Sequence, residues 1–406
     1  MSFDRPKKRK VCVFSFIDRF FRRPDTPPDF ERQDSNREPT AVKILCVVGA
    51  RPNFVKIAPI MEAMKASARL KPSLVHTGQH YDRNMSKLFF DEMGIPRPDV
   101  DLGVGSGSHA AQTAAIIAGF EPVLDRFRPD AVLVVGDVNS TVACALVAVK
   151  RGVLVIHVEA GLRSRDRTMP EEINRLLTDQ MSDLLFVTCR DAIDNLMAEG
   201  IARRKIHFVG NVMIDSLKRF QPLAEKSDIH KRLDTEKRGY ALVTLHRPGN
   251  VDRTEDLAHI LTTLRQVAER LPVVFPIHPR TRARITASKP LEKAVEHPRL
   301  HLIDPVGYLD FLKLMIDARV VMSDSGGIQE ETTVLHIPCL TLRENTERPV
   351  TMTEGTNCLV GRDREKILGA VDRVLAGRWP RGEVPKYWDG RAAPRIVKVL
   401  ERQAKS

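Results

Sequence analysis

Several short strings combine carboxylates, histidines, arginines and glycines where an apolar run gives way to a polar one. Gly49-Ala50-Arg51-Pro52-Asn53-Phe54-Val55-Lys56 offers a glycine turn opening a helix, with Arg51 and Lys56 beside it. Backbone N–H groups at such a turn suit an anion. No GxGxxG is present, so a dinucleotide site is not indicated. In Gly136-Asp137-Val138-Asn139-Ser140-Thr141, Asp137 stands where a strand stops. An aspartate there is most often a helix N-cap, but Ser140 could serve as well and leave Asp137 as a site carboxylate. His157 and Glu159 flank Val158 and are expected on one side of a strand. A glutamate closing a buried strand requires a partner.

Met169-Pro170-Glu171-Glu172-Ile173-Asn174-Arg175 reads as a helix start, with acids in its first turn. Arg175 lies four residues after Glu171, on the same expected face. Further on, His246-Arg247 and His278 follow apolar runs, where a histidine could meet a phosphate or move a proton. Ser323-Asp324-Ser325-Gly326-Gly327-Ile328-Gln329-Glu330-Glu331 is the strongest string. Ser325, Gly326 and Gly327 would cradle a phosphate on a helix N-terminus, and Glu331, one turn in, could take both hydroxyls of a ribose. Glu347-Arg348-Pro349 adds an arginine at the same edge. Together these imply a nucleoside-diphosphate pocket in the second half of the chain.

These residues need strand ends to hold them. Apolar β-branched runs at Val42–Val48, Ser73–His76, Ala131–Val135, Val153–Val158, Leu184–Val187 and His207–Val209 form a first series. Ala241–Thr244, Val273–Ile277, Leu300–Ile303, Val320–Met322, Cys339–Leu342 and Asn357–Val360 form a second. Helical stretches such as Gln112–Arg126, Asp256–Leu271 and Arg364–Ala376 separate them. The alternation predicts an α/β protein of two Rossmann-like doubly wound domains facing a central cleft. The expected division is 41–209 and 210–384, with a terminal helix over 391–403 returning to the first domain. Residues 1–40 are charged and Pro-rich and read as a disordered extension. Pro6-Lys7-Lys8-Arg9-Lys10-Val11 resembles a nuclear-localisation string or a solvated tail, and Val11–Phe21 could form a short amphipathic helix on a membrane surface.

The 406 residues carry a net charge of +12, which favours anionic partners such as nucleic acid, acidic lipid or a phosphate-bearing metabolite. No uncharged apolar run reaches the roughly 18 residues of a membrane span. None of the six cysteines forms a CxxC pair, so a zinc or redox motif is not indicated. Most of them read as small buried apolar residues in a reducing compartment.

Taken together, G-A-R-P-N-F-V-K, G-Q-H-Y-D, V-G-D-V-N-S-T, H-V-E-A-G-L-R-S, P-E-E-I-N-R, H-R, S-D-S-G-G-I-Q-E-E and E-R-P resemble the UDP-N-acetylglucosamine 2-epimerases, over about residues 41–402. The resemblance implies the two-domain GT-B fold, no metal or other cofactor, UDP-GlcNAc and UDP-ManNAc as ligands rather than nucleic acid, a homodimer and a cytoplasmic setting. It implies elimination of UDP to 2-acetamidoglucal and re-addition on the other face. Asp137, Glu159 and Glu171 match the family's carboxylates, with Asp137 and Glu171 assigned to the C2 proton, Glu159 to the sugar and Arg175 to Glu171. His246 and Arg51 would support the leaving pyrophosphate. Lys56, Arg247, His278 and Arg348 complete the expected substrate contacts. Gln79 and His80 match part of a second, activating site found in bacterial members. Ala50 and Asn53 depart from the Thr and Glu of many bacterial relatives. A hydrolysing 2-epimerase, an epimerase of a modified sugar such as a diacetamido uronic acid, a GT-B glycosyltransferase and a non-enzymatic binding protein are the alternatives.

Overall fold

The structure, a computed structural model, describes residues 41–79 and 97–404. The expectations for residues 1–40 and for His80 lie outside the described residues. So does the side chain of Arg51.

Thirteen strands among the described residues form two parallel sheets. The first holds β1 (Val42–Val48), β2 (Leu70–His76), β3 (Val100–Asp101), β4 (Ala131–Val135), β5 (Leu154–Ala160), β6 (Leu184–Val187) and β7 (Ile206–Phe208), in the order β3-β2-β1-β4-β5-β6-β7. The second holds β8 (Ala241–Thr244), β9 (Val273–Pro276), β10 (Leu300–Ile303), β11 (Val320–Ser323), β12 (Cys339–Thr341) and β13 (Asn357–Leu359), in the order β10-β9-β8-β11-β12-β13. This is a GT-B arrangement of two doubly wound sheets. The two-residue β3 is the strand that periodicity missed, because two residues carry no alternation.

Both faces of each sheet are covered, which explains why the strands are apolar throughout. On β1, Ile44, Cys46 and Val48 join one core cluster while Leu45 and Val47 join another. On β8, Leu242 belongs to that first cluster while Ala241 and Val243 belong to a third. The first cluster is therefore continuous between the two halves.

Four helices matter most for the site. These are α1 (Arg51–Lys65), α2 (Asn139–Lys150), α3 (Pro170–Met181) and, after the first sheet, α4 (Val212–Ala224). The α4 residues Ile214 and Leu217 lie in the shared cluster, and Ser216 Oγ donates to the Val55 carbonyl of α1. In the second half, α5 (Gly326–Val334) follows β11, and the terminal α6 (Ala392–Gln403) runs back to the first half. Asp215 caps α6 by accepting from the amides of Ala392 (3.0 Å) and Ala393 (2.8 Å). Just before α6, buried Trp388 donates from Nε1 to the Thr188 carbonyl at 2.9 Å.

In each sheet the winding direction reverses between two central strands, β1 and β4 in one and β8 and β11 in the other. The crevice outside the carboxyl ends of such a pair is where open parallel sheets bind ligands. Every chemistry-bearing string follows one of these strands or a neighbour.

Candidate active site

The β1 turn is built by Asn53. Its Oδ1 accepts from the amides of Gly49 (3.2 Å) and Ala50 (3.0 Å), and its Nδ2 donates to the Val135 carbonyl at the end of β4 (3.0 Å). The departure at Asn53 thus has a structural role: it ties the β1 turn to the strand that presents Asp137. Gly49 admits no side chain, since a Cβ there would lie 2.0 Å from Ser140 Oγ. Lys56, one turn along α1, is buried and ion-paired with Glu159. Its sequence-based assignment was substrate binding; in the structure its ammonium faces a carboxylate.

Glu159 occupies an irregular point in β5. The register with β6 shifts between Val158 and Ala160, and Glu159 adopts φ of 71°. A non-glycine residue there carries strain of order 1–3 kcal/mol, which surrounding contacts must offset. A bulge also re-aims its side chain. The expectation that His157 and Glu159 point to one side of the strand is corrected for this reason. His157 turns to Asp179 and the Gly136 carbonyl, whereas Glu159 turns to Lys56 and, at 2.7 Å, to Arg348 Nη2.

Asp137 is not a helix cap. The N-cap of α2 is Val138, without a side-chain cap bond, and the Asp137 carboxylate instead pairs with Arg175. Ser140 is no cap either; its amide and hydroxyl donate to Gln79 Oε1 at 3.0 and 2.7 Å. Gln79 is therefore buried in the wall behind the β4 turn.

The expected Arg175–Glu171 contact is also corrected. Arg175 is almost fully buried and its Nε and Nη2 donate to Glu172 at 3.0 and 2.6 Å. The i,i+3 partner wins because Glu172 lies in the buried face of α3, where an arginine needs compensation. Burial pushes Glu172 up, but amide donors from Ser164 and Arg165 and the Arg175 guanidinium outweigh it and hold it below the usual range. Glu171 is left partly exposed, facing Arg247 Nη1 of the other half at 3.6 Å.

In the second half, His246 is anchored through Nδ1 to Asp324 at 2.8 Å, and its ring is otherwise 56% exposed. Asp324 also accepts from the Arg247 amide and from Asn250 Nδ2, each at 2.9 Å. Burial raises the Asp324 pKa, and these donors with His246 bring it below the ordinary value. His278 lies at the N-terminus of a short helix, Nδ1 accepting from the Arg280 amide at 3.3 Å.

Helix α5 has Ser325 as N-cap and begins at Gly326 and Gly327. Gly326 is required by close approach, because a Cβ would lie 2.3 Å from Arg348 Nη1. Arg348 donates from Nε to Glu330 at 2.6 Å and pairs with Glu347 as well as Glu159. Glu347 is held well below the usual carboxylate range: burial raises it, and Arg348, Arg343 and Arg175 outweigh that. Glu331, buried, accepts from Tyr308 Oη at 3.1 Å. Burial pushes Glu331 up to about 8, with the Tyr308 bond opposing and Glu330 adding to the rise.

The two halves therefore meet through Lys56, Glu159, Arg348, Glu330 and Glu347, with Glu171–Arg247 beside them. Sequence reasoning left out Asp324, Glu330, Glu172 and Asn174, although each stands inside a string it singled out. Asn174 donates from Nδ2 to the Asp137 carbonyl at 2.9 Å. No group of three metal-ligating side chains occurs among the described residues. A surface recess near Leu124, Arg128 and Arg151 lies at the amino-terminal edge of β4 and β5, away from this cleft.

A family model described as UDP-N-acetylglucosamine 2-epimerase matches residues 62–401. The chain belongs to the UDP-N-acetylglucosamine 2-epimerase family. It is 41% identical over 365 residues to the UDP-N-acetylglucosamine 2-epimerase of Methanococcus maripaludis, covering 88% of this chain and 98% of that protein. It is also 41% identical over 364 residues to the UDP-2,3-diacetamido-2,3-dideoxy-D-glucuronate 2-epimerase of Pseudomonas aeruginosa, covering 89% and 100%. The crystal structure of the Methanocaldococcus jannaschii UDP-GlcNAc 2-epimerase in complex with UDP-GlcNAc and UDP matches with a TM-score of 0.83 and 41% identity, covering 89% of this chain and all of that one. This member of the epimerase family is an isomerase by class. No helix of its described residues is long and apolar enough to cross a membrane.

Proposed function

We propose that the protein interconverts UDP-GlcNAc and UDP-ManNAc without releasing free sugar. The observation that supports this reading is that Glu159 and Glu171 of the first half meet Arg348 and Arg247 of the second, with Asp137 paired to Arg175 on the same helix as Glu171. No carbonyl lies next to C2, so its proton is poorly acidic and departure of UDP must assist its removal. In the elimination a base takes the C2 proton, the C2–H electron pair forms the C1=C2 bond, and the C1–O bond breaks towards UDP. In re-addition a UDP oxygen bonds to C1 and a proton arrives on the opposite face of C2. Two acid–base groups are needed, and Asp137 and Glu171 are assigned to them. Glu159, clamped between two cations, orients the sugar. His246, Arg51 and the amides of Ser325–Gly327 stabilise charge developing on the pyrophosphate. Glu331 takes the ribose, and Arg247 and His278 line the nucleotide side.

A homodimer and a cytoplasmic setting go with this reading; five unpaired cysteines among the described residues support the latter. Gln79, the described one of the two residues matched to an activating site, is packed behind the β4 turn with its Oε1 accepting from Ser140. A second reading is favoured by the equal identity to the diacetamido-glucuronate epimerase: the same chemistry on that uronate. Purified protein incubated with each nucleotide sugar, with products separated by chromatography, tests the choice. UDP-ManNAc as the product from UDP-GlcNAc supports the first reading. Turnover of the uronate alone replaces it with the second.

A further inference from the structure

Two residues before Glu159, His157 is completely buried on β5, and both its ring nitrogens are bonded. Nδ1 lies 2.7 Å from Asp179 Oδ1 on α3, and Nε2 lies 2.9 Å from the Gly136 carbonyl oxygen. A carbonyl oxygen only accepts. Asp179 also acts as acceptor: its Oδ2 takes the Gly161 amide at 3.1 Å and pairs with Arg163 at 2.7 Å. Burial raises the Asp179 pKa, but His157 and Arg163 outweigh burial and keep it ionised. Both ring nitrogens are thus engaged, one by a side chain and one by the main chain, and the ring has a single placement.

Behind Asp179, Arg163 is held in turn by the partly exposed Glu199, whose carboxylate receives Arg163 Nε and Nη2 at 2.8 and 2.6 Å. Asp179 is thus fixed from both sides, by the ring and by Arg163.

We propose that His157 is a positioning residue, and that the His157–Asp179 pair fixes the two turns presenting the site carboxylates Asp137 and Glu159. The ring pins the Gly136 carbonyl, one residue before Asp137; the Gly136 amide is pinned in turn by the Val158 carbonyl at 3.0 Å. Asp179 pins the Gly161 amide, two residues after Glu159. One buried hydrogen-bonded pair thus sets the relative placement of Asp137 and Glu159. The proposal rests on the reading of those carboxylates as site residues. Nothing in the strings H-V-E-A-G-L-R-S and P-E-E-I-N-R separately reveals that their His and the Asp nine residues after Pro170 act together.

The test uses full-length protein. His157→Phe should lower kcat on the order of 10²-fold with KM changed less than about two-fold. Asp179→Asn, whose amide can donate to Nδ1 while its oxygen keeps the Gly161 amide, should lose less of kcat than Asp179→Ala, which frees both. Hydrogen exchange read by mass spectrometry should show the segments around Gly136 and Gly161 opening faster in His157→Phe and Asp179→Ala than in wild type. Wild-type turnover or unchanged exchange in His157→Phe overturns the proposal. If His157→Phe does not fold, the same two readings in Asp179→Ala decide. Wild-type protein without epimerase activity counts against the functional reading alone, because the exchange measurement does not depend on turnover.

Discussion

Glu159 of the first half and Arg348 of the second meet across the cleft, Nη2 to Oε1 at 2.7 Å, with both side chains buried. They are 189 positions apart in the chain. The contact makes the clamp on Glu159 depend on both halves: Lys56 grips one oxygen from α1 and Arg348 the other from beyond β12.

Removing Arg348 should therefore damage more than nucleotide binding. Arg348→Met leaves Glu159, Glu330 and Glu347 buried with one cation fewer, a change of about 3–5 kcal/mol for a broken buried pair. Urea denaturation followed by circular dichroism should show that loss in the midpoint. An unchanged midpoint would mean that the pair contributes nothing to holding the halves together.

Asp137→Asn and Glu171→Gln should each lower kcat by about 10²–10⁴-fold, the range for loss of a positioned acid or base. UDP affinity should be retained, because neither side chain reaches α5. Arg175→Met should resemble Asp137→Asn, since Arg175 holds Asp137 and not Glu171. Steady-state kinetics and calorimetric UDP titration check all three. If Arg175→Met instead copies Glu171→Gln in its pH profile, the pairing is wrong.

The strands and motif strings were legible because their signals are local. The apolar run over Val42–Val48 and the glycine turn after it are visible in the residues themselves. The choice of partner was not. Arg175 was expected to meet Glu171 by i,i+4 spacing, and it meets Glu172 because only Glu172 lies in the buried face of α3. Glu159 was visible as an acid needing company. Its partners were not, because a bulge and a positive φ re-aim it and the second cation arrives from the other half. Asn53 gave no chemical signal at all, since its work is to bond backbone.

Nucleotide binding should release a proton. Glu331 is pushed up to about 8 in the ligand-free site, so much of it is neutral at pH 7. Ribose hydroxyls donating to it favour the carboxylate, which lowers its pKa in the complex. UDP affinity should rise with pH up to about 8 and level off above. Titration calorimetry in buffers of different ionisation enthalpy measures the proton count, and Glu331→Gln should abolish it. For the ligand-free fold the sign is opposite: the stability contributed by neutral Glu331 is present at low pH and lost as pH rises through about 8.

Acid should weaken the packing around the cleft. Glu347 and Asp324 have folded pKa values below their unfolded ones. Their contribution is present above the unfolded values of about 4, declines as pH falls below them and vanishes below the folded values. Denaturation midpoints measured from neutral pH downward should fall over that window. Glu347→Gln should start less stable and show a shallower fall; parallel curves would contradict the assignment.

The central claim is C2 epimerisation by UDP elimination and re-addition, and NMR of the purified protein with UDP-GlcNAc in D₂O tests it most directly. The account predicts UDP-ManNAc carrying deuterium at C2, with no free sugar accumulating. UDP-ManNAc that keeps its original C2 hydrogen, or free N-acetylmannosamine appearing together with UDP, would contradict it.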